Sequence, residues 1–566
     1  MLRQGRKILR RIGIVLAILV IVTSAFLLFF KIAVTVTPPV PDNSEALNCQ
    51  RTKISDDFYV CKNNWLRKSK SGLWEMYVEG SPFDIGVMNG LLTKELIYAQ
   101  EKAFVNEIKK IIPNKVYLLF LKYFVAWFNK DLDKYIEKEY LLEIYGISKS
   151  ASGEFSDIGS AYRRIINYHA AHDIGHALQN MNMVGCTSFA AWGSATDDSS
   201  LIVGRNFDFY IGDDFSKNKI VCFYKPDKGY KFMFVTWGGM IGVVSGMNEK
   251  GLTVTINAAK SDIPFGAKTP VSILAREILQ YAKNIDEAYR IAKKHETFVS
   301  ESILVGSAED KKAASIEKSE NNMDLFVSKT DYIICTNHFQ GDTFRNEKLN
   351  IENISNSSSL YRCKRVNELL KKYPKINYKT AAAILRDQKG LYDKNIGTGN
   401  EKAVNQLIAH HSVIFNPEKL LAWVSSNPYQ LGEYNAYDLK KIFNNCPGMK
   451  KDTEISEQEL MIPADSFLFS DGYKKFETYK ILRDEILNNY NCKGCGELNE
   501  AKIIMFIESN SQYYYTYLLA GNYYQKYGNC TKAIKLYRIA LSKEIPSTNE
   551  TDKIMDALVK CYENEK

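Results

Sequence analysis

The stretch Gly185-Cys186-Thr187-Ser188 opens the part of the sequence that decides the fold. After it, short runs rich in β-branched and aromatic residues alternate with turn signals such as Gly246-Met-Asn-Glu-Lys-Gly251. Two helices interrupt these runs, Val271–Lys283 and Ile285–Lys294. Because many strands are set apart from the helices, we predict the α+β class, with sheets covered by helices. The predicted strands are Thr187–Trp192, Ser200–Asp208, Ile220–Tyr224, Phe232–Trp237, Gly242–Ser245, Leu252–Asn257, Ser302–Gly306, Ala314–Lys318, Tyr332–Thr336, Gln406–Phe415 and Leu420–Ser425.

Helical patterns flank this strand-rich part on both sides. Before it, Leu92–Ile112 and Tyr117–Tyr145 carry apolar residues at helical spacing. From about residue 466 the pattern is purely helical, and residues 514–546 resemble one tetratricopeptide (TPR) unit. One unit is fewer than the roughly three that a free solenoid needs, so we expect this tail to dock on the main domain or on a protein partner. The matching positions are Tyr517, Ala520, Gly521, Tyr524, Ala533, Tyr537 and Ala540.

Composition and charge exclude several classes of protein. The chain has 566 residues, 45% of them apolar, which allows three to four domains or one large domain with additions. A mean hydropathy of −0.26 excludes a polytopic membrane protein but not a single span. The net charge of +9 owes much to five basic residues among the first eleven. Since no basic stripe with interleaved aromatic residues follows, we predict no nucleic-acid binding.

The N-terminus predicts a membrane anchor. Ile12–Phe30 is uncharged over nineteen residues and, at ~1.5 Å per residue, just spans a ~30 Å hydrocarbon layer. Basic residues precede it, so we expect a single pass with the N-terminus cytoplasmic and the catalytic domain extracytoplasmic. A signal peptide cleaved near Thr23-Ser24-Ala25 is the alternative. Val34–Pro41 then reads as the start of a proline-stiffened spacer.

The 11 cysteines include two close pairs, Cys49 with Cys61 and Cys492 with Cys495. Outside the cytoplasm such pairs can form disulfides, although free thiols remain the alternative. His169, His172 and His176 share one helix face, a spacing that can hold a metal but that also suits a helix packed on the core. We predict neither a metal nor a cofactor.

Five motifs in register carry a resemblance to a known family. They are Gly185-Cys186-Thr187-Ser188, Gly204-Arg205-Asn206-Phe207-Asp208, Gly246–Asn257, Cys335-Thr-Asn-His338 and Ser359-Leu-Tyr-Arg362. Together they resemble the penicillin acyltransferase-type branch of the N-terminal-nucleophile hydrolases, which is related to choloylglycine hydrolases. The match runs from Glu79 to about Ser425. It implies a four-layer αββα fold, preceded here by one transmembrane helix and followed by the small TPR-like tail.

The resemblance implies self-cleavage before Cys186. In this family the precursor cuts itself before a Cys, Ser or Thr, and Gly185-Cys186 is the matching bond. Glycine leaves the backbone free for the strained geometry of thiol attack on the preceding carbonyl. The freed α-amine, with a pKa near ~7.7–8, then serves as the base for the thiol of Cys186.

The same resemblance assigns roles to further residues. Asp208 is expected against the α-amine, and Arg205 near the thiol, where a guanidinium favours the thiolate. Bile-salt hydrolases typically have this arginine, so its presence favours simple amide hydrolysis. Asn257 is expected to donate to an oxyanion hole, and Asn337 to line the site. Ser359 and Arg362 match family positions and are possible substrate-binding residues.

The resulting hypothesis is a membrane-anchored cysteine amidase or acyltransferase that acts on a small-molecule N-acyl amide through a thioester acyl-enzyme. The expected domains are a basic tail and anchor (1–34), a spacer (35–73), a hydrolase domain (74–455, with its catalytic segment from 186) and a helical TPR-like region (456–566). Two alternatives stay open. One is a catalytically silent scaffold that uses its tail to recruit a partner, and the other is an esterase or phospholipase-like hydrolase on the same fold.

Overall fold

The computed structural model describes residues 2–170, 185–260, 266–297 and 299–565. Within these ranges the chain forms seventeen strands in two sheets, together with seventeen α-helices. The strands are β1 (Thr52–Ser55), β2 (Phe58–Cys61), β3 (Asn64–Lys68), β4 (Trp74–Gly80), β5 (Thr187–Ala191), β6 (Ile202–Asp208), β7 (Ile220–Pro226), β8 (Phe232–Thr236), β9 (Ser245–Asn248), β10 (Leu252–Ala258), β11 (Glu301–Ser307), β12 (Lys312–Lys318), β13 (Met323–Phe326), β14 (Tyr332–Cys335), β15 (Ala409–Asn416), β16 (Leu421–Ser425) and β17 (Tyr434–Asp438).

The helices lie before, between and after the strands. They are α1 (Leu2–Ala33), α2 (Pro82–Ile111), α3 (Lys115–Phe128), α4 (Lys138–Ser148), α5 (Ala161–His169), α6 (Asp213–Ser216), α7 (Val271–Tyr281), α8 (Ile285–Lys294), α9 (Lys348–Asn356), α10 (Ser359–Lys372), α11 (Tyr378–Leu385), α12 (Leu439–Asn445), α13 (Asp471–Asn491), α14 (Glu500–Ser509), α15 (Tyr514–Lys526), α16 (Cys530–Leu541) and α17 (Thr548–Asn564).

Two large sheets form the body of the molecule. In the described residues the large sheet has the order β1-β2-β3-β4-β7-β8-β9-β10-β11-β12-β13, and the small sheet has the order β14-β5-β6-β15-β16-β17. Neighbouring strands are antiparallel except β4 and β7, which are parallel and pair from Trp74–Ile220 to Gly80–Pro226. The mixed α+β class predicted from the sequence is therefore confirmed.

Apolar clusters show how these elements are layered. One cluster joins side chains of the two sheets, such as Val203 and Val413 of the small sheet with Phe223 of the large sheet. A second lies between the large sheet and helices α2, α7 and α8. A third lies between the small sheet and helices α10 and α11. Helices therefore cover the outer face of each sheet, and the two inner faces pack on each other.

Most strands after residue 187 lie within a few residues of their predicted bounds, but several expectations were wrong. The predicted helix Tyr117–Tyr145 is two helices, α3 and α4, separated by Asn129–Glu137. The strand predicted at Gly242–Ser245 lies at Ser245–Asn248. The segment 35–73, expected as a spacer that begins with the proline-stiffened Val34–Pro41, also contains β1, β2 and β3 of the large sheet. The disulfide Cys49–Cys61 ties this segment together.

The tail is helical, as predicted, and it packs on the main domain. Helices α13 to α17 share an apolar cluster that also contains Leu407, Tyr429 and Leu431 of the main domain. The Tyr513 hydroxyl donates to Glu401, and the Asn510 side chain contacts the backbone of Thr398. A second disulfide joins Cys492 and Cys495. The TPR nature of the tail remains a prediction.

Helix α1 is, among the described residues, the one helix long and apolar enough to cross a membrane. Its apolar segment Arg11–Ala33 lies near the N-terminus, where a signal sequence can meet the same criteria of length and composition.

Candidate active site

Cys186 lies immediately before β5, at the centre of the candidate site. Its side chain is buried, and its Sγ is 3.5 Å from Nη2 of Arg205 and 3.9 Å from the backbone oxygen of Asp208. Burial raises the pKa of the Cys186 thiol to about 11, although the guanidinium of Arg205 opposes this rise. In the intact chain the thiol is therefore protonated at neutral pH, and its reaction needs a base.

The carbonyl oxygen of Gly185 accepts two side-chain hydrogen bonds. Nη1 of Arg362 donates at 2.8 Å and Nε2 of Gln406 donates at 2.9 Å. The Gly185 N–H donates in turn to the backbone oxygen of Asp208 at 3.0 Å. If the thiol attacked this carbonyl, negative charge would develop on the oxygen that these two donors already hold. The arrangement is that of an oxyanion hole around the Gly185–Cys186 bond.

Gly185 also leaves the space that Gln406 occupies. A Cβ at residue 185 would lie 2.6 Å from Nε2 and 2.8 Å from Oε1 of Gln406, which is closer than a side chain tolerates. The Gln406 side chain is buried, so it has little room to retreat. A side chain at residue 185 would therefore have to displace the end of the Gln406 side chain. This close approach is a second reason for glycine at this bond, beside the backbone freedom expected from the sequence.

Arg362, in the first turn of α10, holds the backbone on both sides of this bond. Its Nη1 donates to the carbonyl oxygens of Gly185 and Cys186 and to the Thr187 hydroxyl, at 2.6 to 2.8 Å. Its Nη2 donates to Oδ1 of Asn337 at 2.7 Å. The sequence predicted a possible substrate-binding residue here, whereas in this structure the guanidinium contacts the protein's own chain.

Asp208, at the end of β6, is a buried carboxyl group. Burial raises its pKa to about 7, although the charges of Arg362 and Arg205 oppose this rise. Its Oδ2 accepts a long hydrogen bond of 3.4 Å from Gln406, and its Oδ1 has no hydrogen-bond partner among the described residues. A carboxyl group with this pKa can accept or release a proton near neutral pH.

Arg205 lies on β6 opposite Ser188 of β5 and is fixed from several sides. Nη1 donates to the carbonyl oxygen of Val244 at 2.6 Å and to the hydroxyl of Ser245. Nη2 donates to the carbonyl oxygen of Ile256 as well as to the Cys186 thiol. The guanidinium therefore keeps one position and places its charge at the sulfur.

The two predicted amides are both engaged in hydrogen bonds. Nδ2 of Asn257 donates to the carbonyl oxygen of Cys335 at 2.9 Å, and its Oδ1 accepts from Ser188 at 2.7 Å. Nδ2 of Asn337 donates to the carbonyl oxygen of Ala258 at 2.9 Å. Because each amide nitrogen carries two hydrogens, each has one N–H that no hydrogen bond among the described residues occupies.

Ser359, the first residue of α10, makes its hydrogen bonds to the loop that carries Asn337. Its hydroxyl accepts from the backbone N–H of Asn337 at 2.8 Å and donates to Thr336 at 3.0 Å. It also lies 2.7 Å from Nδ1 of His338. These contacts fix the loop that carries Asn337.

Three residues of the site were missed from the sequence. Gln406 was included in a predicted strand, but it lies just before β15 in a loop whose next residue, Leu407, packs in the cluster of the helical tail. Ser245 accepts directly from Arg205, and its hydroxyl lies 2.9 Å from Nε2 of His411. No local pattern marks these positions, because the contacts join residues far apart in the chain.

The histidine cluster gives no indication of a metal site in the described part of the chain. Both ring nitrogens of His169 are engaged, since Nδ1 contacts the carbonyl oxygen of Ile165 and Nε2 accepts from the Ile241 N–H. Burial lowers the pKa of His169 to about 4. His172 and His176 lie outside the described residues. Residues 2–170, 185–260, 266–297 and 299–565 contain no group of three potential metal ligands.

A small cavity lies beside the site. It has a volume of about 30 Å³, and its walls include Phe104, Tyr168, Phe209, Phe215 and Trp237. Phe209, which directly follows Asp208 in the chain, connects this wall to the end of β6. The cavity has room for about two water molecules, and a larger ligand requires these side chains to move.

A comparison with known protein families matches part of the chain to one family model. Residues 194–427 match the family model of acyl-coenzyme A:6-aminopenicillanic acid acyl-transferase, which confirms the resemblance predicted from the sequence. Arg205, Asp208, Asn257, Asn337 and the segment 359–406 lie inside this match. Gly185 and Cys186 lie before it.

The curated relatives are distant. An uncharacterized protein of Archaeoglobus fulgidus is 26% identical over 271 residues, which cover 44% of this chain and 44% of that protein. Protein dcd1B of Dictyostelium discoideum is 21% identical over 276 residues, covering 45% of this chain and 52% of that protein. The chain thus spans about half the length of the curated relatives it matches.

The solved structures that match part of this chain include the following two. One is the N-acylethanolamine-hydrolyzing acid amidase ortholog of Caenorhabditis elegans, with 17% identity, a TM-score of 0.30 and coverage of 41% of this chain and 93% of that one. Another is a mutant conjugated bile acid hydrolase of Clostridium perfringens, with 15% identity, a TM-score of 0.32 and coverage of 47% and 95%.

Proposed function

We propose that this chain, whose residues 194–427 match the acyl-transferase family, cuts itself between Gly185 and Cys186 and then works as a cysteine amidase or acyltransferase on a small-molecule N-acyl amide. The observation that carries the proposal is the Gly185 carbonyl, which is held by two side-chain donors directly beside a buried thiol.

Self-cleavage begins with attack of Sγ of Cys186 on the carbonyl carbon of Gly185. The C–N bond breaks, the Cys186 nitrogen takes up a proton and becomes an amine, and water then hydrolyses the thioester to leave a carboxylate on Gly185. Arg362 and Gln406 stabilise the charge on the carbonyl oxygen during the attack. Asp208, with a pKa near 7, is the group suited to take the thiol proton.

In the mature protein the new α-amine of Cys186 lies near Asp208 and serves as the base for the thiol. Arg205 stabilises the thiolate through its charge. Attack on a substrate amide forms a thioester, and the amine leaves with a proton. Release of the acyl group to water gives hydrolysis, and release to a second amine gives acyl transfer. The free N–H groups of Asn257 and Asn337 are the donors proposed for the substrate oxyanion.

The proposed protein is held in a membrane by α1, with its catalytic body on the extracytoplasmic side. The uncharged segment within α1 and the basic residues before it support this topology. The two disulfides of the body, Cys49–Cys61 and Cys492–Cys495, agree with an oxidising compartment. We propose the hydrolase domain as 74–455, extended by strands β1 to β3, with the helical region 456–566 packed on it.

Intact mass and N-terminal sequencing of the purified full chain test self-cleavage. We expect two associated fragments, the second beginning at Cys186. Cys186→Ala should remain one chain, while Cys222→Ala, a change of another buried cysteine in the same body, should be cut normally. A wild-type chain that stays intact and active contradicts the maturation scheme.

A panel of N-acyl amides and matched esters then separates the candidate activities. Turnover of amides that is lost in Cys186→Ala supports the proposal, whereas turnover of esters alone supports the esterase alternative. If neither class is turned over, and removal of residues 466–566 abolishes the biological phenotype while Cys186→Ala preserves it, the scaffold alternative is correct.

A further inference from the structure

Helix α3 presents a largely exposed apolar surface. Twelve of its fourteen residues are apolar, and Ala126 is its one buried residue. A helix that is apolar on all sides normally lies in a protein core or in a membrane. Contiguous exposed apolar surface of this kind marks a binding surface for protein or lipid. The exposed side chains, each 42% to 77% accessible, are Val116, Tyr117, Leu119, Phe120, Tyr123, Phe124 and Trp127.

This surface is continuous with the end of the apolar helix α1. The ring of Phe30 stacks on Trp127, with centroids 5.8 Å apart, and meets Tyr123 edge-on at 5.6 Å. Phe29 also contacts Trp127, at 6.3 Å. The uncharged segment ends one residue later, at Lys31. The C-terminal half of α3 therefore lies at the level where the proposed span leaves the hydrocarbon.

We propose that α3 lies in the lipid bilayer interface, in the leaflet where α1 ends, and that it is a second membrane contact of the catalytic body. This inference rests on the membrane anchor proposed above. The occupant of the surface is the bilayer itself, with Leu119, Phe120 and Phe124 among the acyl chains.

The composition of α3 and its attachment favour lipid over a second copy of the chain. Tyr and Trp with neighbouring lysines are the side chains that anchor segments at a membrane interface. Here Lys115 and Lys130 flank the apolar residues, and Lys122 lies among them. The helix is attached to the body at its C-terminal end, where the Phe128 carbonyl accepts from the Ala267 N–H and the Asn129 amide donates to Asn167. Midway along the helix, Lys122 donates to the carbonyl oxygen of Asp157. The seven apolar side chains named above stay exposed beside these contacts.

Tryptophan fluorescence of the full chain in vesicles tests this placement. The protein has six tryptophans, all in the described residues, and Trp127 is the exposed one among them. The chain is reconstituted in phosphatidylcholine vesicles with either plain or brominated acyl chains, because bromine quenches indole on contact. We expect brominated lipid to quench the wild type, with the loss confined to the contribution of this one tryptophan.

Three variants give the matched comparison. Trp127→Phe should lose the quenching, while Trp423→Phe, which removes a buried indole, should keep it. The double variant Phe120→Glu, Phe124→Glu should weaken the quenching while the protein still floats with the vesicles, because α1 is unchanged.

Each other outcome overturns the placement. Equal quenching of the wild type and Trp127→Phe, or no quenching in protein that floats with the vesicles, shows that lipid does not cover α3. A dimer in detergent that dissociates on Phe120→Glu assigns the surface to a second copy. A chain that fails to float overturns the anchor and the α3 placement together, and flotation is measured separately from quenching.

Discussion

Replacing Gly185 by alanine tests whether Gln406 is a donor in self-cleavage. The new Cβ would lie 2.6 Å from Nε2 of Gln406, so the amide must retreat by about 0.8 Å to reach ordinary van der Waals separation. Its hydrogen bond to the Gly185 oxygen, now 2.9 Å, would then exceed the range of a hydrogen bond. Loss of one oxyanion donor costs ~10²–10³ in rate. We therefore expect Gly185→Ala to slow self-cleavage by about that factor.

A double-mutant cycle separates this explanation from a backbone effect. Gln406→Ala alone should slow self-cleavage by a similar factor, and it also opens the space that a Cβ at residue 185 needs. The double variant should consequently be no slower than the slower single variant, because both changes remove the same donor. Rates are read as the decay of the intact chain in a pulse-chase after in vitro translation. Gly153→Ala, with no atom within 4 Å of the new Cβ, is the control.

Two results would refute the reasoning. One is wild-type self-cleavage in Gly185→Ala, which would show that the amide is not needed at this oxygen. The other is multiplication of the two single effects in the double variant, which would assign the glycine to backbone freedom and leave Gln406 with an independent role.

Three further predictions concern charge, geometry and the covalent framework. Burial raises the pKa of Asp208 to about 7 from an unfolded value near 3.8, so its contribution destabilises the fold increasingly as the pH rises through this window. In the uncut Cys186→Ala chain, Asp208→Asn should therefore raise the free energy of unfolding by up to ~4 kcal/mol more at pH 7 than at pH 4, as read from melting curves, and an equal gain at both pH values contradicts this. Arg362→Lys should slow self-cleavage, because one ammonium cannot replace the planar fork that holds several oxygens, and normal cutting in pulse-chase would argue against that role. Reduction of the Cys49–Cys61 disulfide should lower the free energy of unfolding of the wild type by ~2–4 kcal/mol. A Cys49→Ser, Cys61→Ser variant, which lacks this disulfide, should lose that much less. Differential scanning fluorimetry with and without reductant measures both.

The strand-rich half of the fold followed from local pattern. Strands such as Leu252–Ala258 alternate β-branched residues between clear turn signals, and their bounds were predicted to within a few residues. Strands β1 to β3 were missed because they are short, polar or aromatic, and follow a proline-rich stretch that predicts an extended linker. They are strands because β2 pairs with β3 and β3 pairs with β4. No local sequence pattern indicates this pairing.

The site residues divide in the same way. The resemblance to a family identified Arg205, Asp208 and Arg362 by position, but the atoms that Arg362 contacts could not be predicted from the sequence. Gln406 was not recognised at all. Its amide donates to the carbonyl oxygen of Gly185, more than two hundred residues earlier in the chain. The next residue, Leu407, fixes the loop by packing in the apolar cluster of the helical tail. Because tertiary packing determines such contacts, the periodicity of apolar residues and the spacing of motifs do not indicate them.

The order of strands in the large sheet has a consequence for the lifetime of the protein. Strands β1 to β4 precede the Gly185–Cys186 bond, and β7 to β13 follow it, with the seam at the parallel pair β4 and β7. If the bond is cut as proposed above, two separate polypeptides share one hydrophobic core. Refolding then requires two chains to find each other, whereas the first folding required only one. A cleaved molecule that unfolds no longer has the peptide bond that joined its two parts during the first folding. Its lifetime therefore depends on the height of its unfolding barrier and not on its folding equilibrium.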